Sequence, residues 1–262
     1  MTSPICIPLQ HRKPGQSLDD ETAAHAARVF RKYGACLLEN MLLPEQVDAA
    51  LAASHELFEE RRSLAGDIGL GLDEGYREIV QRMKGRYDLW IEKDAPVFRE
   101  LIHLDTAPWG NLIHRLLLDS RMMSAGVLMT LPGAAPHPWH NDGPPLFNSP
   151  GSPVLPPHCI NVFIPLVDQT IENGGTELRL GTHLRVGPRK RVVWSMSVTG
   201  TELEELPFSL VCPAGSVLLF DYRLQHRANP HNGTDRRVVL YYTYALRWFI
   251  DHLNLPENSL YP

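Results

Sequence analysis

The sequence predicts a mainly β protein with flanking helices, built on a double-sheet jelly roll that follows a helical N-terminal part. Three observations carry that expectation. From about residue 123 onward short β-rich runs recur, separated by Gly, Pro and Asn clusters. Before that point apolar residues fall at helical spacing. The chain has 262 residues, a length that one large β domain can occupy undivided. The expected organisation is a single domain over residues 1–262, with the jelly-roll core at roughly 123–247 and the helical part at roughly 17–120.

Taken in order, residues 1–17 carry Pro and basic residues without periodicity and read as a loosely held lead-in. Ser17 or Asp19 can cap a helix whose apolar face is Ala23, Ala27 and Phe30, ending near Tyr33-Gly34. Ala35–Leu38 reads as a short strand. Pro44 opens a second helix with Val47, Ala50, Leu51, Ser54 and Leu57-Phe58 on one side and Glu59–Arg62 at its wet end. Residues 63–92 are rich in glycine and read as a long loop, either at an active site or without function. Residues 96–119 look helical. The strand runs are Val127–Met129, Ile160–Ile164, Val192–Trp194, Leu210–Cys212, Val217–Phe220 and Val238–Thr243. Six prolines between Gly143 and Pro157 suggest an ordered loop flanking a pocket mouth.

The bulk numbers narrow the function. With 44% hydrophobic and 21% charged residues, the composition is that of an ordinary globular protein. A net charge of −5 gives no reason to expect a nucleic-acid partner. No run approaches the ~18 apolar residues of a membrane span, and the N-terminus lacks the pattern of a secretory signal. The four cysteines, Cys6, Cys36, Cys159 and Cys212, are scattered and read as reduced thiols. The C-terminal Ser-Lys-Leu address is absent, so a cytoplasmic location is expected.

The residues with the most chemistry are His140-Asn141-Asp142, His226 and Arg237. His and Asp two apart share one face of a strand. A distant His joining them makes a two-histidine, one-carboxylate set, the arrangement suited to non-haem Fe(II) with open coordination positions. An HxD pair alone is a weak signal, because His140 and Asp142 can simply pair with neighbours. The order HxD, then His, then Arg is much less easily accidental. An arginine eleven residues after His226 can present a planar fork to an organic carboxylate. Arg236 and Arg237 alternate across a strand, so one of them points inward.

These residues resemble a known family. His137-Pro138-Trp139-His140-Asn141-Asp142-Gly143 is similar to the iron-binding segment of the phytanoyl-CoA dioxygenase family. Glu172–His183, Ala214–Asp221 ahead of His226, and Asn232…Arg236-Arg237 are similar to further stretches of it, in the family's order. The resemblance spans roughly residues 20–247. It implies a double-stranded β-helix (cupin-like) core and a dioxygenase dependent on Fe(II), 2-oxoglutarate and O2. Its metal ligands would be His140, Asp142 and His226, and Arg237, at the family's spacing, would hold the cosubstrate. The implied reaction oxidises an unactivated C–H bond of a small-molecule metabolite, releasing succinate and CO2. Halogenating relatives lack the carboxylate ligand, so Asp142 favours hydroxylation or a related oxidation.

Two departures stand out. Ala228 occupies a position where family members often carry Ser, and Leu180 one where Pro is usual. Candidate substrate contacts are Arg86, Trp139 and Phe147. For Arg86-Tyr87-Asp88 a surface ion pair beside a packed Tyr is an equal reading. His137, three residues before His140, is expected on the opposite strand face, serving a hydrogen bond or packing. The readings that compete with an oxygenase are a zinc or manganese enzyme, a catalytically silent metal- or ligand-binding paralogue, and a metal-free interaction module.

Overall fold

The computed structural model describes residues 3–9, 16–92, 95, 98, 105–143, 146–147, 152–185, 207–251, 254 and 256–261. Strand β1 (Cys6–Pro8) leads into helix α1 (Asp20–Tyr33), strand β2 (Ala35–Glu39) and helix α2 (Pro44–Ala65). Asp19 caps α1 by accepting from the Thr22 N–H. Gly34 ends it in the left-handed conformation at φ 80°. The glycine-bearing stretch expected as a loop contains a hairpin instead, β3 (Ile79–Met83) and β4 (Arg86–Trp90), turned at Lys84-Gly85 with Gly85 at φ 74°. Alternation from Ile79 through Leu89 outweighs the glycine content, because the single left-handed position falls on a glycine.

Helix α3 (Gly110–Leu116) falls in the later part of the helix expected over 96–119; residues 96–97 and 99–104 lie outside the described residues. Then come β5 (Ser120–Thr130), β6 (Cys159–Pro165), β7 (Thr176–Arg179), β8 (Phe208–Ser209), β9 (Val217–Asp221), β10 (Gln225–Ala228) and β11 (Arg237–Leu246). The strand expected at Leu210–Cys212 lies earlier, at β8. Cys212 makes only an isolated bridge to Gln169. The expected strand Val192–Trp194 lies outside the described residues.

Among the described residues, eight strands form one sheet in the order β1-β2-β9-β6-β11-β5-β4-β3. β1 and β2 pair in parallel and the other pairings are antiparallel. A second sheet has the order β10-β7-β8. This is the jelly-roll core with helices flanking it.

Side-chain alternation gives the large sheet two different faces. One carries Val127, Met129, Ile160, Val162, Ile164, Leu240, Tyr242 and Tyr244, all buried in one cluster with Ala27, Phe30, Ala50, Phe58 and Leu112 of the helices. The other carries Thr130, Asn161, Phe163, Arg237, Tyr241 and Thr243 and lines a cavity. A smaller cluster that includes Leu37, Leu178, Leu218, Phe220 and Leu224 joins the two sheets. Burying ten such apolar side chains contributes on the order of 15–30 kcal/mol before chain entropy is subtracted. The polar face is therefore supported from behind.

Candidate metal centre

The cavity, of about 200 Å3, lies between the sheets. His140 precedes it on an extended segment that pairs with β10. The His140 N–H donates to the His226 carbonyl at 3.0 Å, and the His226 N–H returns a bond at 2.8 Å. The two imidazoles are thus set side by side, with ring centroids 4.3 Å apart. Asp142 is fixed by its N–H to the Tyr222 carbonyl, 3.1 Å.

Ligand-capable atoms of His140, Asp142 and His226 all lie within 4.8 Å of one another. The Nε2 atoms of His140 and His226 are 3.6 and 3.7 Å from the Asp142 carboxylate oxygens. His140 Nδ1 lies 2.9 Å from the Pro138 carbonyl and His226 Nδ1 lies 3.0 Å from the Leu224 carbonyl. A carbonyl can only accept, so each Nδ1 carries the proton and each Nε2 presents its lone pair to the cavity. Burial, and then the neighbouring His226, pushes His140 down to about 4, which keeps it neutral near pH 7. Two basic nitrogens and a carboxylate converging with tautomers already set fit a divalent metal of intermediate softness.

The support behind these ligands is local. Asp221 and Arg223 form a buried pair, with Nη2 to Oδ2 at 2.7 Å, that shapes the turn from β9 into β10. The Thr182 hydroxyl accepts from the Gln225 N–H at 2.9 Å, anchoring the start of β10. The turn before β7 needs its glycines. Gly174 sits at φ 78°, and a Cβ on Gly175 would lie 2.7 Å from the Thr170 carbonyl oxygen.

Arg237 points inward and is 3% exposed, while Arg236 turns outward to Glu59 on α2. Arg237 donates to the Thr130 hydroxyl at 3.4 Å, and among the described residues no acceptor reaches its Nε or Nη1. Burial, reinforced by the nearby Arg86, lowers its pKa to about 9.

Arg86 also lines the cavity, from β4. Trp139 does not; its ring meets Arg179 and Arg227, whose guanidinium carbons lie 4.3 and 4.8 Å from its centroid. Phe147 is 58% exposed and borders a separate small cleft with His183 and Arg223. His137 is not on the opposite face from His140. Their rings meet edge to face at 4.4 Å, and His137 lines the cavity. The His137 N–H bonds Ala228 O and the His140 N–H bonds His226 O, so three residue steps oppose two on β10. That bulge reverses the alternation.

The sequence did not single out Thr130, Asn161, Tyr241, Tyr222, Asp251 and Asn254, all of which line the cavity, as does Asp88 of the Arg86-Tyr87-Asp88 segment. Strand parity was the available signal for Asn161 and Tyr241. Asp251 and Asn254 lie beyond the last strand and carried none.

A family model described as phytanoyl-CoA dioxygenase (PhyH) matches residues 30–239. The chain belongs to the phytanoyl-CoA dioxygenase family. As a phytanoyl-CoA dioxygenase family member it is a non-haem Fe(II)- and 2-oxoglutarate-dependent dioxygenase. It is 26% identical over 205 residues to dioxygenase lolE1 of Epichloe uncinata, covering 73% of this chain and 75% of that protein. Solved structures share the fold. The epimerase SnoN, in complex with Fe3+, alpha ketoglutarate and nogalamycin RO, superimposes with a TM-score of 0.64 at 16% identity, covering 91% of this chain and 95% of that one. HygX from Streptomyces hygroscopicus, with nickel, 2-oxoglutarate and hygromycin B bound, gives 0.61 at 15% identity, covering 88% and 89%. Among the described residues no helix is long and apolar enough to cross a membrane.

Proposed function

We propose that this family member binds Fe(II) through His140 Nε2, His226 Nε2 and the Asp142 carboxylate. Arg237 then receives the distal carboxylate of 2-oxoglutarate. The enzyme oxidises an unactivated C–H bond of a small-molecule metabolite, by hydroxylation or a related oxidation, with release of succinate and CO2. The observation that carries this reading is Arg237 itself. It is a buried guanidinium, with two nitrogens that lack acceptors among the described residues, in the same cavity as the His-Asp-His cluster. A buried cation of this kind calls for an anion, and a carboxylate matches its fork. The bound metal and 2-oxoglutarate reported for SnoN and HygX support the same assignment.

Bound Fe(II) and 2-oxoglutarate supply the activation of dioxygen that side chains cannot. The protein's own part is positional. His140 and His226 hold their protons on Nδ1. Asn161 orients the carboxylate of Asp142, and the apolar backing of the sheet keeps the ligand strands rigid. On the cavity wall Arg82 pairs with Asp88 at 2.7 Å, and Tyr241 donates to Asp88 at 2.9 Å. Together with Tyr222, Asp251 and Asn254 they make a polar wall that favours a small molecule with hydrogen-bonding groups.

The test is anaerobic titration of the protein with Fe(II) and 2-oxoglutarate, following the weak visible charge-transfer band. Wild type develops the band; Asp142→Ala loses it and Arg237→Ala needs far more 2-oxoglutarate. A wild-type protein that binds neither partner would leave a silent module as the better reading.

A further inference from the structure

Arg86, Thr130 and Arg237 occupy one row across three adjacent strands. Thr130 of β5 is the register partner of Arg86 on β4 and of Arg237 on β11. All three side chains are buried and line the cavity. Arg86 is anchored by its own N–H groups. Its Nε and Nη2 donate to the Ala135 carbonyl at 3.0 and 2.8 Å, and Nη2 donates to the Asn229 carbonyl at 2.6 Å. Its remaining nitrogen, Nη1, faces the Thr130 hydroxyl at 3.5 Å. Arg237 Nη2 approaches the same oxygen at 3.4 Å.

A hydroxyl has two acceptor lone pairs and one proton to give. With a guanidinium on each side, the Thr130 oxygen can only accept from both, which leaves its proton available for donation to a third group. No carboxylate side chain, among the described residues, pairs with either arginine. Two like charges close together in a low dielectric repel, and an anion bound beside them relieves both. Ala228, also in the cavity wall, offers no hydroxyl of its own.

We propose that Arg86 is a positioning residue for the cosubstrate's distal carboxylate: it orients the Thr130 proton toward that carboxylate and supplies a second positive charge behind it. The carboxylate then meets the Nη1–Nη2 edge of Arg237 and the Thr130 hydroxyl, while Arg86 stays fixed to its two carbonyls and never needs to touch it. The inference rests on the reading of Arg237 as the seat for 2-oxoglutarate, and it makes the site selective for a second carboxylate rather than for 2-oxo acids in general.

The test compares 2-oxoglutarate with 2-oxopentanoate, which keeps the 2-oxo acid and lacks the distal carboxylate. Dissociation constants are read anaerobically on the Fe(II)-loaded protein from the charge-transfer band, with no turnover. Wild type prefers 2-oxoglutarate strongly. In Arg86→Gln the 2-oxoglutarate constant rises about tenfold, the scale of one charge-assisted contact, while that for 2-oxopentanoate moves less than about twofold. Thr130→Val, close in shape, shifts the same ratio in the same direction. It decides the matter if Arg86→Gln, having lost its carbonyl anchors, does not fold.

Equal loss for both acids, or an unchanged ratio in Thr130→Val, overturns the role of Arg86. A wild type that does not distinguish the two acids overturns the reading of Arg237 first, and this proposal with it.

Discussion

Asn161 donates from Nδ2 to Asp142 Oδ2 at 2.5 Å, and its own amide oxygen accepts from the Thr243 hydroxyl at 2.8 Å. The relay runs across β6 and β11, whose register pairs Asn161 with Thr243. It ties a carboxylate on an irregular segment to two paired strands of the large sheet. Asn161→Ala is therefore expected to weaken metal binding roughly 10- to 100-fold, the cost of losing an outer contact to a ligand. Thr243→Val should act in the same direction and less. Competition against a chelator of known affinity measures both; wild-type affinity in Asn161→Ala would remove the relay from the account.

Gly143 packs its backbone on the Tyr222 ring, and a Cβ there would lie 2.4 Å from Cδ1 and 2.5 Å from Cε1. The ring is fixed from its other end, since its hydroxyl donates to Asp251 at 2.5 Å and accepts from Asn254 at 2.9 Å. Gly143→Ala is expected to cost about 1–3 kcal/mol, the scale of overpacking. For a chain of this size that lowers the melting temperature by roughly 2–4 °C per kcal/mol. An unchanged melting temperature would mean that Tyr222 moves aside without cost.

Neighbouring arginines should behave oppositely. Arg236 reaches Glu59 at 2.6 Å with 36% and 62% of the two side chains exposed, so Arg236→Ala should cost at most about 1 kcal/mol and leave 2-oxoglutarate affinity alone. Arg237→Ala should weaken that affinity about 30- to 100-fold, the loss of a desolvated two-point contact. Titrating both variants in parallel separates a site residue from a general effect of charge.

His158 is buried against Phe249, with ring centroids 4.7 Å apart, and neither of its ring nitrogens has a hydrogen-bond partner among the described residues. Burial, then Arg223, pushes its pKa down to about 4. The folded state therefore binds fewer protons than the unfolded chain between about pH 4 and 6.5. Stability from this group is present above pH 6.5 and is lost as pH falls toward 4. His158→Leu should flatten that loss, by about 1–2 kcal/mol at pH 5, and be neutral or stabilising at pH 7. Denaturant melts at the two pH values test it; an identical slope in the variant would mean that other groups carry the pH dependence.

Much of this was legible in residue order. Asp19 as a cap, Pro44 as a helix start and the strand runs around Val127, Ile160, Val217 and Val238 depend on neighbours a few positions away, where chain geometry leaves few options. The hairpin at Lys84-Gly85 was hidden by the glycines around it, although its alternation was present.

By itself the sequence determined the kinds of atom available to the site: two imidazoles, one carboxylate and an adjacent arginine pair of which one had to face inward. It also determined that Arg236 and Arg237 face opposite sides of the strand, because alternation along a strand is a property of the backbone. Tertiary structure alone decided the company these residues keep. The bulge against β10 put His137 beside His140, register put Thr130 between Arg86 and Arg237, and the segment after β11 brought Asp251 and Asn254 to the cavity wall. Each of those contacts joins residues through pairings set by the whole sheet, and packing over such distances leaves no periodic trace in the chain.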